Sequence, residues 1–345
     1  MKKIIICFFV IGIAIIVGIF GGKYLKNKKE ASDQVTQTAI SSENDILWGI
    51  SVNAYPTGPH IPETLERVTN QINDLGVSTI RYTFPSWSKP DPFEFTDTVM
   101  ARWKDEPFKI VMAFQPNIDY IDMEDPYQQG YDQANKLAKR YPQVSYFQMG
   151  NEPGNHALKP NWNGATKDSY ENTKYVAVAA WLKGASNAIA ANNKSAKKMI
   201  TGNWLGAAFF EKLVEDGIQF EIIGWDWFGE TANNITTTKA DEDNIPILDR
   251  LAKLKKDIWL TECGITGKDE KQQATYLSNF IKETSKKDYV KAIFVGVFFD
   301  QAHLVDTDGQ YDGIYSIVSS GTDKFTFGKP KQAYQIFKQI ISNNK

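Results

Sequence analysis

Near the middle of the chain the sequence reads Val144-Ser-Tyr-Phe-Gln-Met-Gly150 and continues with Asn151-Glu152-Pro153. The first part is a short apolar run of the kind that forms a buried strand, and the second part places a carboxylate just after it. A second run, Ile258-Trp-Leu-Thr-Glu-Cys-Gly264, repeats this arrangement with Glu262. Two carboxylates at the ends of two buried strands predict that these strand ends face one shared site.

From residue 45 onward, short apolar runs alternate with longer amphipathic segments, which is typical of an α/β protein with a parallel sheet. The predicted strands are Ile46–Val52, Ser78–Phe84, Phe108–Phe114, Val144–Gly150, Lys198–Trp204, Glu221–Phe228, Asp257–Thr261 and Val290–Phe299. Helices are predicted at Pro62–Leu75, Asp132–Arg140, Lys167–Asn192, Phe209–Asp216, Asp241–Lys256, Asp269–Lys286 and Pro330–Ile341, whereas residues 91–103 mix loop and helix signals.

Eight strand-helix units in about 300 residues predict a (β/α)8 TIM barrel. The alternative is an open, doubly wound sheet. That alternative is less favoured because the chain lacks a Gly-rich first turn of the dinucleotide-binding or P-loop kind.

The N-terminus is predicted to form a transmembrane helix. Residues 4–22 are uncharged and apolar, and they follow Lys2 and Lys3. A stretch of this length can span a bilayer, and the absence of a small-residue cleavage site favours an uncleaved anchor over a signal peptide. We therefore expect residues 1–29 to form a membrane anchor with a basic flank, residues 30–44 a polar linker and residues 45–345 the barrel domain.

The expected location is the cell membrane, with a single pass and the barrel outside the cell. The lysines that follow the apolar stretch outnumber the two that precede it, and the positive-inside rule alone would place the barrel inside. Large domains nevertheless translocate against a modest charge bias, which favours the outside placement.

Composition excludes several classes of partner. The first 29 residues hold six lysines and no acidic residue, so the formal charge of −2 for the whole chain becomes −8 for the rest. An acidic surface disfavours nucleic acid as a partner.

The sequence also shows no pattern of metal ligands. Cys7 and Cys263 are the two cysteines, the three histidines are isolated in sequence, and no zinc-ligand spacing is present. We expect no cofactor, no metal ion and a monomer.

A barrel gives the two glutamates a shared position. Residues at the C-terminal ends of barrel strands converge on one site, and the fourth and seventh strands lie across that face from each other. Carboxyl groups about 5–5.5 Å apart suit retaining cleavage of a glycosidic bond, in which one group donates a proton and the other attacks the anomeric carbon. Burial and the neighbouring charge are expected to raise the pKa of the proton donor.

In this arrangement the sequence resembles the glycoside hydrolases of clan A, with family 39 and the endo-galactanase family among the closer-looking relatives. The resemblance covers about residues 46–342. It implies that Glu152 is the acid/base and Glu262 the nucleophile. It also implies that Asn151 binds the 2-hydroxyl of the sugar and that Arg81, in Thr79-Ile-Arg-Tyr82, keeps the nucleophile ionised.

The sequence departs from the clan on two strands. The sixth has Asp226 and Phe228 where a histidine or tyrosine is common near the nucleophile, and the eighth has Phe298 or Phe299 in place of a tryptophan. Because sugar rings stack on aromatic faces and their hydroxyls bind carboxylates and amides, we predict further substrate contacts. These are Asp226, Trp204, Trp227, Tyr55, His156 and Phe299.

The sequence thus predicts a retaining glycosidase that acts on a polysaccharide, internally along the chain. Two alternatives remain open. One is a noncatalytic carbohydrate-binding barrel, and the other is a transglycosylase or a polysaccharide-trimming enzyme.

Overall fold

Eight parallel strands close into a barrel in the computed structural model, which describes residues 45–52, 62–86, 91–229, 234–240, 244–267, 269–301, 311–319 and 325–345. The strands follow one another in chain order, and the last pairs with the first. They are β1 (Leu47–Val52), β2 (Thr79–Thr83), β3 (Lys109–Phe114), β4 (Tyr146–Met149), β5 (Lys197–Asn203), β6 (Ile222–Phe228), β7 (Asp257–Gly264) and β8 (Val290–Val295). The predicted barrel is confirmed.

Helices connect the strands and surround the barrel. They are α1 (Pro62–Leu75), α2 (Pro92–Arg102), α3 (Pro126–Arg140), α4 (Asn172–Asn192), α5 (Ala207–Glu215), α6 (Ile247–Ala252), α7 (Glu270–Thr284) and α8 (Gln332–Asn343). The ambiguous segment 91–103 forms α2, whose first turn is capped by the Asp91 side chain. In the same way, α3 begins earlier than predicted because Asp125 caps it and Pro126 occupies its first position.

An antiparallel hairpin follows the barrel strands and was not predicted. It consists of β9 (Tyr315–Ser319) and β10 (Phe325–Pro330). The predicted eighth strand reached Phe299, but β8 ends at Val295, and Phe299 instead bridges to Tyr315.

An apolar layer fills the inside of the barrel beneath its C-terminal end. Its members come from the six strands β3 to β8 and pack on one another: Val111, Tyr146, Met199, Ile222, Trp259, Ala292 and Phe294. Phe294 lies so close to β1 that a side chain on Gly49 would meet its ring at 2.3 Å. Since side chains alternate along each strand, the next inward position above this layer faces the mouth of the barrel. This buried apolar layer closes the barrel below its mouth.

The prediction of a single-pass membrane location is corrected. Within the ranges that the structure describes, no helix is long and apolar enough to cross a bilayer. The apolar stretch on which the prediction rested, residues 4–22, lies outside those ranges, as does the predicted linker at 30–44.

Two glycines allow α3 and α4 to approach each other closely. A Cβ atom on Gly130 would lie 2.2 Å from the carbonyl oxygen of Trp181, and one on Gly184 would lie 2.0 Å from that of Tyr127. Both contacts are with backbone, which cannot rotate away as a side chain can. The helices therefore meet at a distance that only glycine permits.

We expect Gly184→Ala to lower the free energy of unfolding by about 1–3 kcal/mol, because the added methyl group overpacks the helix contact. Urea denaturation followed by circular dichroism measures this. Lys183→Ala is the control, since Lys183 is exposed on the same turn and its loss should change stability by about 0.5 kcal/mol or less. A Gly184→Ala protein more stable than wild type would show that helix propensity outweighs the clash.

Candidate active site

Glu152 lies immediately beyond the end of β4 in a left-handed backbone conformation. Its φ is 47°, which is uncommon for a residue other than glycine and is found where surrounding contacts impose it. The Glu152 N–H donates to Thr201 Oγ1 on β5 at 2.9 Å, and Asn155 Nδ2 donates to Glu152 Oε2 at 3.0 Å. Hydrogen bonds therefore hold Glu152 both at its backbone N–H and at its carboxyl oxygen.

Glu262 lies within β7 rather than after it, because the strand continues to Gly264. The pairing of β6 with β7 shifts register here, so that Trp225 pairs with Leu260 but Asp226 pairs with Glu262. A bulge of this kind redirects side chains, and bulges are frequent beside active sites.

The neighbouring strand also adapts to Glu262. A Cβ atom on Gly296 would lie 2.9 Å from the Glu262 Cα atom, so glycine permits the close approach of the chain after β8. The Glu262 backbone is therefore held by the bulge between β6 and β7 on one side and by the chain after β8 on the other.

Arg81, on β2, joins the groups at the mouth of the barrel. Its side chain is only 2% exposed. Nε donates to Gln148 Oε1 at 2.6 Å, Nη2 donates to Asn151 Oδ1 at 2.7 Å, and Nη1 donates both to Ser51 Oγ at 2.9 Å and to Glu262 Oε1. A planar guanidinium with four fixed acceptors holds the Glu262 carboxylate in one orientation.

Burial is the main cause that raises the pKa of Glu152, to about 7, and the negative charge of Glu262 raises it further. Hydrogen bonding by Asp226 and Asn203 and the charge of Arg81 oppose this rise. Near neutral pH, Glu152 therefore still carries a proton in a large share of molecules. A proton donor and an arginine-bound carboxylate face the same space.

Asp226 is the third carboxyl group at this site. Neighbouring residues on β6 alternate between the two faces, so Asp226 faces inward, and its Oδ1 accepts a 2.6 Å hydrogen bond from Thr261 Oγ1. Trp225 and Trp227 take the other face and are buried in the core between the barrel and its helices. Trp227 is thus not placed to contact a substrate directly.

Trp204 follows β5 and is 38% exposed at the mouth of the barrel. Its ring stacks on the buried ring of Trp227, with 5.3 Å between centroids and 24° between planes. Trp227 supports Trp204 from behind, which leaves the outer face of Trp204 free for a ligand.

The other predicted contacts fall in different places. His156 is half-buried in the turn after Glu152, with its ring edge against Tyr120, and burial lowers its pKa. Phe299 is buried among Phe298, Tyr315 and Phe327 rather than lining the mouth. Tyr55 lies outside the described residues.

Several polar residues of the site were not identified from the sequence. Ser51, Gln148, Thr201 and Thr261 each sit near the end of an otherwise apolar strand and each bonds Arg81, Glu152 or Asp226. Such a polar residue at an inward position was the available signal. Sequence alone does not say which face of a strand is inward, so this signal does not identify the four residues.

Across the ranges that the structure covers, no group of three or more His, Cys, Asp or Glu side chains could hold a metal ion. Among the residues that the structure describes at this site, Arg81 carries a positive charge next to Glu262.

Comparison with solved structures identifies proteins of the same architecture. The family 1 β-glucosidase from Thermotoga maritima matches with a TM-score of 0.65 and 12% identity, covering 87% of this chain and 98% of that one. The same enzyme in complex with cyclophellitol matches with a TM-score of 0.64, 12% identity and the same coverage. Its complex with azafagomine gives 0.64 and 12%, covering 89% of this chain and all of that one.

This chain has the fold of a family 1 β-glucosidase. The resemblance to clan A barrels is thereby confirmed for the fold, and at this level of identity the likeness speaks to architecture alone. No family model matches the sequence, and no curated protein matches it.

The raised pKa of Glu152 makes a prediction about stability. A carboxyl group whose pKa is about 7 when folded and 4.5 when unfolded stabilises the fold below pH 4.5, and this contribution is lost as the pH rises through 7. Glu152→Gln removes the ionisation. It should therefore be more stable than wild type at pH 8.5, by up to about 3 kcal/mol, and show little of this gain at pH 5.

Urea denaturation at the two pH values measures this difference. Glu124→Gln is the control, because Glu124 is exposed and its replacement should have the same small effect at both pH values. An equal effect of Glu152→Gln at pH 5 and pH 8.5 would mean that the pKa of Glu152 is not raised.

Proposed function

We propose that this protein is a retaining glycoside hydrolase that cleaves β-linked glycosidic bonds in a polysaccharide. The observation that carries the proposal is the pairing of Glu152, whose pKa is about 7, with Glu262, which is bound by the buried Arg81. One carboxyl group that keeps its proton and one held as a carboxylate are what the two steps of retention require. The solved structures compared above are those of a β-glucosidase, which favours a β-linked substrate.

In the first step, Glu262 attacks the anomeric carbon while Glu152 donates its proton to the leaving oxygen. This forms a covalent bond between the sugar and Glu262 and releases the rest of the glycan as an alcohol. In the second step, Glu152 takes a proton from water, the resulting nucleophile attacks the same carbon, and Glu262 leaves as a carboxylate. The configuration at the anomeric carbon is inverted twice and so retained.

The electrostatics of the pair fit this change of role. The negative charge of Glu262 is one of the causes that raise the pKa of Glu152. That charge disappears when Glu262 forms the covalent bond, so the pKa of Glu152 falls and the group can act as a base. Hydrolysis of the intermediate restores the charge and, with it, the proton donor.

Asn151 is placed to bind the sugar beside the reacting carbon. Its Oδ1 accepts from Arg81 Nη2 at 2.7 Å, which orients the amide and leaves its NH2 group for a substrate hydroxyl. Because Arg81 also binds Glu262, a hydroxyl bound by Asn151 would lie close to the nucleophile. A hydrogen bond to the 2-hydroxyl that strengthens in the transition state contributes to catalysis in such enzymes.

Replacement of each glutamate should affect catalysis in a distinct way. We expect Glu262→Gln to lower kcat/KM by at least about 10⁴-fold on every glycoside, because no nucleophile remains. Glu152→Gln should lower it by about 10²–10⁴-fold for a natural glycan, but much less for an aryl glycoside whose phenolate leaves without protonation. Rates measured on both substrate types, with proton NMR of the first-formed anomer, test this.

The same variants separate hydrolysis from the alternatives. Both should still bind glycan, and a wild-type protein that binds glycan without cleaving it would identify a carbohydrate-binding barrel. Product analysis with and without an added acceptor sugar separates hydrolysis from transglycosylation. An inverted first-formed anomer would contradict the retaining mechanism.

Two exposed tryptophans favour a polymeric substrate that is cut internally. Trp204 follows β5, and Trp162, 48% exposed, lies in the loop after β4. Both loops flank Glu152, the group that protonates the leaving part of the chain. Sugar rings on the leaving side could stack on these faces, which is the arrangement expected for cleavage within a polysaccharide.

We expect Trp204→Ala to reduce kcat/KM on a polysaccharide by about three- to tenfold, the effect of losing one aromatic stack. A short aryl glycoside should be affected less, because it does not reach beyond the cleavage site. Val176→Ala on α4 serves as the control, since Val176 is an exposed apolar residue outside these loops. Early product sizes test the mode of cleavage, and release of single sugars from the start would indicate action at chain ends.

A further inference from the structure

Asp226 is a buried carboxyl group that the two-glutamate mechanism does not use. It is 2% exposed, and its backbone pairs with Asn203 on β5 and with Glu262 on β7. Thr261 donates to Oδ1 at 2.6 Å. Oδ2 is enclosed by protein, yet among the residues that the structure describes it has no hydrogen-bond partner.

The charges around Asp226 oppose its ionisation. The titratable groups that face it are Glu152 after β4, Glu262 and Cys263 on β7, and Arg81 on β2. Arg81 is the cation of this group, and its guanidinium already binds Glu262. An ionised Asp226 would add a further negative charge, with one oxygen that accepts no hydrogen bond in a space closed to water. Burial of an unpaired polar group is unfavourable, and burial of an unpaired charge is more so.

A proton on Oδ2 removes both problems. The group becomes neutral, and the oxygen that lacks a donor becomes a donor itself. Oδ1 still accepts a hydrogen bond from Thr261, so one oxygen of Asp226 accepts and the other can donate. Glu152 lies near enough that hydrogen bonding by Asp226 stabilises its ionised form.

We propose that Asp226 keeps its proton throughout the reaction cycle and acts as a positioning residue, donating from Oδ2 to the Glu152 carboxylate once Glu152 has protonated the leaving group. This inference rests on the proposed function. The proton stays on Oδ2 at every stage, so Asp226 neither supplies nor consumes a proton. It stabilises the basic form of Glu152 without adding a charge beside Glu262.

The direction of the pKa shifts agrees with this role. Burial and the charges of Glu262 and Glu152 raise the pKa of Asp226 well above its usual range, and Arg81 and the Thr261 hydrogen bond only partly oppose the rise. In the other direction, hydrogen bonding by Asp226 lowers the pKa of Glu152. Without this donor, the pKa of Glu152 would lie higher still, and a smaller share of Glu152 would be ionised at a given pH.

Asp226→Asn tests the proposal, because asparagine copies a protonated aspartic acid in shape, charge and donor. The alkaline limb of kcat/KM, which reports the proton on Glu152, should stay within about 0.5 pH unit of wild type. If Asp226 is ionised, the substitution removes a negative neighbour and the limb moves to lower pH by about one unit or more. That second result would overturn the proposal.

Asp226→Val supplies the contrast, since valine has neither charge nor donor. The ionised form of Glu152 then lacks its hydrogen bond, so the alkaline limb should move to higher pH by about one unit. A purely structural Asp226 would lower stability in this variant but leave the limb unchanged. An unchanged limb in folded Asp226→Val protein would therefore also overturn the proposal.

A direct titration separates this proposal from the proposed function. In wild-type protein labelled with ¹³C at aspartate side-chain carboxyl carbons, the resonance that disappears in Asp226→Asn should keep the shift of a protonated acid from pH 5 to pH 8. An ionised resonance in an active hydrolase would refute the role of Asp226 alone. A protonated resonance in a protein that cleaves no glycoside would refute the hydrolase alone.

Discussion

The buried guanidinium of Arg81 is the interaction on which the mouth of the barrel depends. It bonds side chains from β1 and β4, together with Asn151 and Glu262, so one charge sets the relative positions of four groups. A cation enclosed this deeply is stable only when acceptors surround it. The acceptors are in turn fixed, because they come from strands whose apolar sides are locked in the core. The rigid barrel strands therefore hold Arg81 in place, and Arg81 in turn holds the carboxylate of Glu262.

The different roles proposed for the three carboxyl groups follow from their different surroundings. Glu262 has a cation beside it, whereas Glu152 is buried with its pKa raised to about 7, and Asp226 is buried with a single donor at one oxygen. Three carboxyl groups with one cation cannot all be ionised at low cost. The proposed division into nucleophile, acid/base and neutral donor distributes the protons in the way that this limit requires.

Much of the fold could be predicted because the apolar runs of a barrel are buried on both sides and stand out in the sequence. The start of α1 at Pro62 and the ends of β1 and β6 at Val52 and Phe228 agree with the prediction. Features set by contacts between distant segments could not be predicted. The bulge that pairs Asp226 with Glu262 depends on how β6 and β7 meet, and the β9–β10 hairpin packs Tyr315 and Phe327 against Phe299.

By itself, the sequence determined the order of strands and helices and the placement of Glu152, Glu262 and Arg81 near strand ends, since local hydrophobic periodicity carries that information. Tertiary structure alone decided which side chains face inward, and therefore that Asp226 joins the site while Trp227 supports Trp204 from behind. It also decided the protonation of Glu152. A pKa depends on burial and on charges brought close by folding, and neither is a property of the residue's neighbours in the chain.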